Sequence, residues 1–295
     1  MYLDIEHNLW LTYDDYISES WVELRMEPQS NHRQTVNSYF LAVGPQTKVS
    51  RYQDWLGNAV RHFSVAEFHN QIEVRSRSVV ETKPNSIPLG RVRERQLPKA
   101  GLGPILDFLE FGGPIPKSAA LKELFKSANL DRELPLGERV ERLGRFVHET
   151  FEYRPMVTFY HSSIDEALTH RAGVCQDLAQ ILIGLLRLAH IPARYVNGYL
   201  HVDREGKAAS ESHAWAEFYS REHGWVGFDP TGNVQPDERH VVVAYGRHYD
   251  EVPPNRGIYR GAAQETLRAE VRTKPIPAPA VSTFREEIRE IRLPV

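Results

Sequence analysis

The chain of 295 residues contains one cysteine, Cys175. An intramolecular disulfide and a zinc site built on several thiolates are therefore excluded. No block of one charge sign exists either: 36 Lys and Arg stand against 39 Asp and Glu, for a formal net charge of −3. A nucleic-acid footprint needs a basic stripe, and the short run RVRER at 91–95 reads as a solvated linker. No apolar run is long enough for a bilayer; the most apolar stretch, 181–191, is interrupted by Arg187 and His190. The opening MYLDIEHNLW lacks the basic and apolar regions of a secretory leader. HETFE at 148–152 starts like a zinc-protease motif but has Glu152 where the second histidine belongs, and GLGPILDF lacks phosphate-loop spacing. These absences predict a cytoplasmic chain with no cofactor, no metal, no nucleic-acid partner and no membrane partner. Nothing in the sequence sets an oligomeric state.

What is present suits a packed core. The chain is 41% hydrophobic and 25% charged, close to an average soluble protein. Residues 1–82 hold YLDIEHNLWLTY, SWVELRMEP, TVNSYFLAVG and QIEVRSRSVVE, stretches of alternating apolar and polar residues separated by turn chemistry. Such spacing predicts an antiparallel β-sandwich. A linker and first helix are expected over 83–115. From 116 the period changes: SAALKELFKSANL and LGERVERLGRFVHETFEY carry apolar residues three or four apart. SSIDEALTH offers a serine N-cap before a short helix. Strand-like segments follow, ARYVNGYLHV, SHAWAEFYS, GWVGFDP and HVVVAYG. The remainder, 262–295, reads as one strand near TLRAEVRT and a proline-rich tail. Strands, then helices, then strands predict an α+β protein.

Cys175 stands after Gly173 at the start of a helix whose apolar face runs Val174, Leu178, Ile181, Leu182, Leu185, Leu186 and Ala189. A helix N-terminus favours a thiolate, and its free N–H groups can hold an oxyanion. Asp177, two residues on, is expected to cap that helix. In SHAWAEFY the alternation puts His213, Trp215 and Glu217 on one side of a strand, a rigid seat for a general base. Asp229 closes the short strand of GWVGFDP, where a carboxylate can orient an imidazole. Trp215 is expected as core and cleft wall.

Taken together, GVCQDLA…LLRLAHIPARYVNGY and SHAWAEFY…GWVGFDPTGN resemble the transglutaminase-like superfamily, and more narrowly its bacterial cysteine peptidases. The resemblance covers 140–261, and residues 1–82 look like the family's N-terminal β-sandwich region. It implies a papain-like α+β core over 116–261 and a triad of Cys175, His213 and Asp229. It also implies a second oxyanion donor upstream of the thiol, for which Tyr153 is the candidate. The activity implied is a thiol-dependent hydrolase acting on a peptide or protein through a thioester. A protein-glutamine acyl transferase would use the same residues, and a non-catalytic binding module is the remaining alternative.

Overall fold

The structure, a computed structural model, describes residues 1–85, 87–94, 103–204, 207–278 and 285–291. Part of the expected linker (95–102, including the end of the basic run) and of the expected tail (279–284 and 292–295) lies outside the described residues.

The chain opens with six strands: β1 (Tyr2–Ile17), β2 (Glu19–Leu24), β3 (Gln34–Gly44), β4 (Ser50–Gln53), β5 (Ala59–Val65) and β6 (His69–Thr82). Alternation forms them. Along β1, Leu3, Ile5, His7, Leu9 and Leu11 are buried while the side chains between them are partly exposed. A turn at Gly57, with φ of +80° suited to glycine, joins β4 and β5, which lack a clear alternation in the sequence. Four helices follow: α1 (Ala119–Ser127), α2 (Leu136–Thr150), α3 (Ile164–His170) and α4 (Cys175–Leu188). Ser118 and Ser163 cap α1 and α3, each hydroxyl accepting a backbone N–H. GPILDFL, expected as ordinary helix, is a 3-10 helix over Gly103–Leu109. The short strands β7 (Glu152–Tyr153) and β8 (Ala172–Gly173) flank α3. After α4 come β9 (Ala193–Arg204), β10 (Lys207–Ser220), β11 (Gly224–Phe228) and β12 (His240–Gly246). The chain then forms β13 (Asn255–Arg260), β14 (Glu265–Ile276) and β15 (Arg285–Glu290).

Strand order is β14-β1-β6-β3-β15 in one sheet of the sandwich and β13-β2-β5-β4 in the other, while β11-β10-β9-β12 forms the sheet of the helical half. The sandwich therefore takes strands from both ends of the chain. β13 falls in the stretch expected as catalytic core, and β14 and β15 in the stretch expected as strand and tail. These are edge strands with few buried side chains; along β14 only Thr273 is buried. Little alternation marks them in the sequence. The fold is α+β, with a sheet-rich N-terminal region and a helical core, as the sequence predicts.

One long core joins the halves. Leu3, Ile5, Val36 and Val80 of the sandwich pack in the same cluster as Leu178, Ile181, Leu182 and Leu185 of α4 and Ala214, Ala216 and Phe218 of β10. Farther along β1, Leu9 and Leu11 turn into the sandwich interior with Val22, Leu41, Phe63 and Val74. Each buried leucine or isoleucine contributes roughly 1.5–3 kcal/mol relative to exposure. Arg187, the charge that interrupts the apolar run, is buried. It is held by the carbonyls of Phe108, Glu110, Ala193 and Arg247, at 2.6–3.1 Å. Two buried amides brace β12, an edge strand whose backbone groups would otherwise lack partners. Gln34 donates to Val242 O and accepts from Val242 N, both at 2.8 Å; Asn58 does the same with Tyr245 at 2.7 and 2.8 Å. Among the described residues no helix is long and apolar enough to cross a membrane.

α2 meets β11 without room to spare: a Cβ on Gly144 would lie 2.0 Å from the ring of Phe228, the residue before Asp229. Gly144→Ala should lower stability by about 1–3 kcal/mol. Gly112→Ala, where a Cβ meets nothing within 4 Å, should stay within about 0.5 kcal/mol of the wild type. Urea unfolding midpoints compare the two, and equal midpoints would show that the α2–β11 contact is not tight.

Candidate active site

The approach to Cys175 is built by backbone pairing. β7 and β8 run parallel, with Tyr153 opposite Gly173, and Arg154 N–H donates to Gly173 O at 2.9 Å. Val174 is the N-cap of α4 but has no side-chain acceptor to offer. Asp177 supplies one from inside the helix: its Oδ2 accepts from Val174 N at 2.8 Å and from the Thr158 hydroxyl at 2.7 Å. A Cβ on Gly173 would lie 2.6 Å from that same oxygen, so the capping carboxylate requires glycine there. Burial pushes the Asp177 carboxyl up, opposed by the Thr158 and Val174 hydrogen bonds. Cys175 emerges at the first turn of α4, half-buried.

His213 on β10 faces it. Its Nε2 lies 2.8 Å from Asp229 Oδ2, and Cys175 is near enough to the ring to act on its charge. Asp229 follows the last residue of β11 and is pinned by a bridge to Val234, with N–H···O bonds of 2.8 and 3.1 Å. Its Oδ1 accepts from Thr231 N at 2.9 Å. A third imidazole completes the cluster: His240 Nε2 is 3.4 Å from Asp229 Oδ2, and its Nδ1 is 3.0 Å from Asp237 Oδ1. Burial alone would drive His213 toward its neutral form. The Asp229 carboxylate and Cys175 outweigh it, and the imidazole is pushed up to about 10. For Asp229 burial acts upward, but the two imidazoles hold it well below the usual carboxylate range. Both shifts express one thing: a buried ion pair in which each partner keeps the other charged.

His240 does not stand out in the sequence. It opens HVVVAYG three residues after Asp237, and nothing local reveals that both meet Asp229. Among the described residues, the donor atoms of His213, Asp229 and His240 lie within 4.8 Å of one another, close enough to ligate an ion. The atoms an ion would use are the ones committed to the hydrogen bonds just described.

Trp215, expected as core and cleft wall, lies in the core behind the two imidazoles. It is 1% exposed, its ring lies 6.2 Å from His213 and 5.4 Å from His240, and a Cβ on its neighbour Gly198 would lie 2.7 Å from it. The absent side chain at Gly198 leaves room for the edge of the indole against β9. Tyr153 is 45% exposed, and its strand register sets it beside Gly173, two residues before the thiol.

Comparison with other proteins agrees with this architecture. Residues 126–230 match the transglutaminase-like superfamily, and residues 3–81 match the bacterial transglutaminase-like N-terminal region. An uncharacterized protein of Mycobacterium leprae is 33% identical over 268 residues, covering 89% of this chain and 95% of its own. An uncharacterized Mycobacterium tuberculosis protein is 30% identical over 296 residues, 94% of each chain. A Cytophaga hutchinsonii protein solved at 1.9 Å, provisionally named a cysteine protease, superposes with a TM-score of 0.77 at 20% identity, covering 96% of this chain and 93% of that one. A protein-glutamine gamma-glutamyltransferase of Pseudomonas aeruginosa is 32% identical over 130 residues, 41% of this chain and 19% of its own. The chain belongs to the transglutaminase-like superfamily.

The raised value of His213 carries a definite sign. With a folded value near 10 above the ordinary 6.5, pairing contributes stability in full below about pH 6.5, and that contribution is lost as pH rises through about 10. Asp229→Asn removes the charge that outweighs burial, so the NMR titration midpoint of His213 should fall by at least one pH unit, roughly a tenfold change in proton affinity. An unmoved midpoint would mean that Asp229 does not set the charge of this imidazole.

Proposed function

We propose that Cys175, His213 and Asp229 form a thiol acyl-transfer centre that hydrolyses a peptide or amide bond of a polypeptide substrate. The observation that carries this reading is the buried Asp229–His213 pair set beside a cysteine at a helix N-terminus. The cysteine thiolate attacks the carbonyl carbon, forming a C–S bond. The carbonyl oxygen takes the negative charge within reach of the α4 N–H groups. The His213 imidazolium gives its proton to the departing nitrogen as the C–N bond breaks, leaving a thioester. Water then attacks that thioester, with neutral His213 taking its proton. The C–S bond breaks, releasing a carboxylic acid and restoring the thiolate–imidazolium pair. Asp229 holds the ring and stabilises its charged form. Tyr153, paired in register with Gly173, is the candidate second oxyanion donor.

A second reading has support of its own. The partial match to a protein-glutamine gamma-glutamyltransferase favours resolution of the same thioester by an amine rather than by water. The chemistry up to the thioester is identical, so the acceptor distinguishes the two.

The deciding experiment incubates the protein with casein and follows ammonia, new amino termini and incorporated dansylcadaverine side by side. New amino termini or ammonia without incorporated amine supports hydrolysis; amine incorporation supports transfer. Cys175→Ala should reduce any of these by at least about 10⁴-fold, and Asp229→Asn by about 10²–10⁴-fold. Full turnover by the Cys175→Ala protein would end the proposal.

A further inference from the structure

The first turns of α4 do more than present a thiol. Gln176 Nε2 donates to Tyr160 O at 3.0 Å, and Tyr249 N donates to Gln180 Oε1 at 3.2 Å. Two aromatic residues are thereby tied to the first two turns of α4, the helix that begins with Cys175. Both line a cavity of about 480 Å³ whose far wall is Asn255 and Gly257 of β13 and Leu267 of β14. These two strands are the edges of their sheets, and the cavity lies between them.

The backbone of β13 is arranged for a partner. Arg25 N–H donates to Pro254 O at 2.8 Å, so the carbonyl of residue 254 turns toward β2. Strand alternation then turns the N–H and C=O groups of Asn255 and Gly257 the other way, to the open edge. Among the described residues β13 pairs only with β2. A second cavity of about 790 Å³ runs over the outer face of the same sheet, past the exposed side chains of Trp21, Tyr52 and Ile258, and shares Arg256 and Gly257 with the first. Unpaired main-chain donors and acceptors flanked by two side-chain pockets are what an extended peptide requires. Backbone bonds give affinity and alternate side chains fall to either side.

We propose that an extended polypeptide segment adds as a strand to the open edge of β13 and in this way brings its reacting carboxamide to Cys175; the delivery step rests on the acyl-transfer reading above. Because main-chain bonds dominate, the site tolerates varied sequence. An unfolded protein is therefore a fair probe. Gly257→Pro deletes an outward N–H and leaves the β2 ladder intact, a change edge strands accept. Asn255→Pro, at the first residue of the strand, is the second variant.

The test measures anisotropy of fluorescein-labelled carboxymethylated casein titrated with full-length Cys175→Ala protein, with and without each proline. Saturable binding weakened at least tenfold by a proline variant that keeps its thermal midpoint supports the site. Absence of saturable binding, or equal affinity in a folded proline variant, overturns it. Casein that binds in this proline-sensitive way yet is never turned over by the native chain supports the strand site and removes the acyl-transfer reading instead.

Discussion

The buried carboxylate of Asp229 is the constraint on which the site depends. An ionised group sealed from water is costly unless its oxygens are satisfied, and here His213, His240 and the Thr231 N–H satisfy them. That demand fixes the imidazole of His213 on β10. The bridge to Val234 and the packing of Phe228 against Gly144 hold the carboxylate from behind. Trp215 closes the remaining side.

The sandwich is part of this arrangement rather than an appendage. Its amides Gln34 and Asn58 take the place of a neighbouring strand along β12, the strand that begins with His240. Its Leu3 and Ile5 extend the core into which α4 packs. The return of the chain through β13 and β14 places two strand edges at a cavity whose other wall, Tyr160 and Tyr249, is tied to α4. The position and electrostatics of the site thus depend on segments far apart in sequence.

Several of these features are legible in the amino-acid sequence. Cys175, His213 and Asp229 are legible as an ordered set: a helix start after glycine, a strand alternation and a strand end before proline, which together resemble the family's motifs though none is distinctive alone. Asp177 is legible as a cap because capping is a short-range matter. His240 is not, since its partner Asp229 comes to it through the fold of β11 and β12 and not through spacing. Alternation sets Trp215 on the correct strand face, yet its burial depends on Gly198 in a neighbouring strand, which the pattern along β10 does not encode. Strands β4, β13 and β15 are silent because largely exposed edge strands carry no buried face to print a period.

The α+β class, the sandwich-then-helix order, the amphipathic helix that bears the thiol and the residues able to act with it all follow from the order of amino acids. They are consequences of periodicity and short-range hydrogen bonding, which act within a few residues. Three outcomes waited on the folded chain: a second histidine shares the buried carboxylate, the indole is buried, and the C-terminal strands complete the sandwich. Those outcomes arise from burial and long-range pairing, whose free energy depends on which distant surfaces meet.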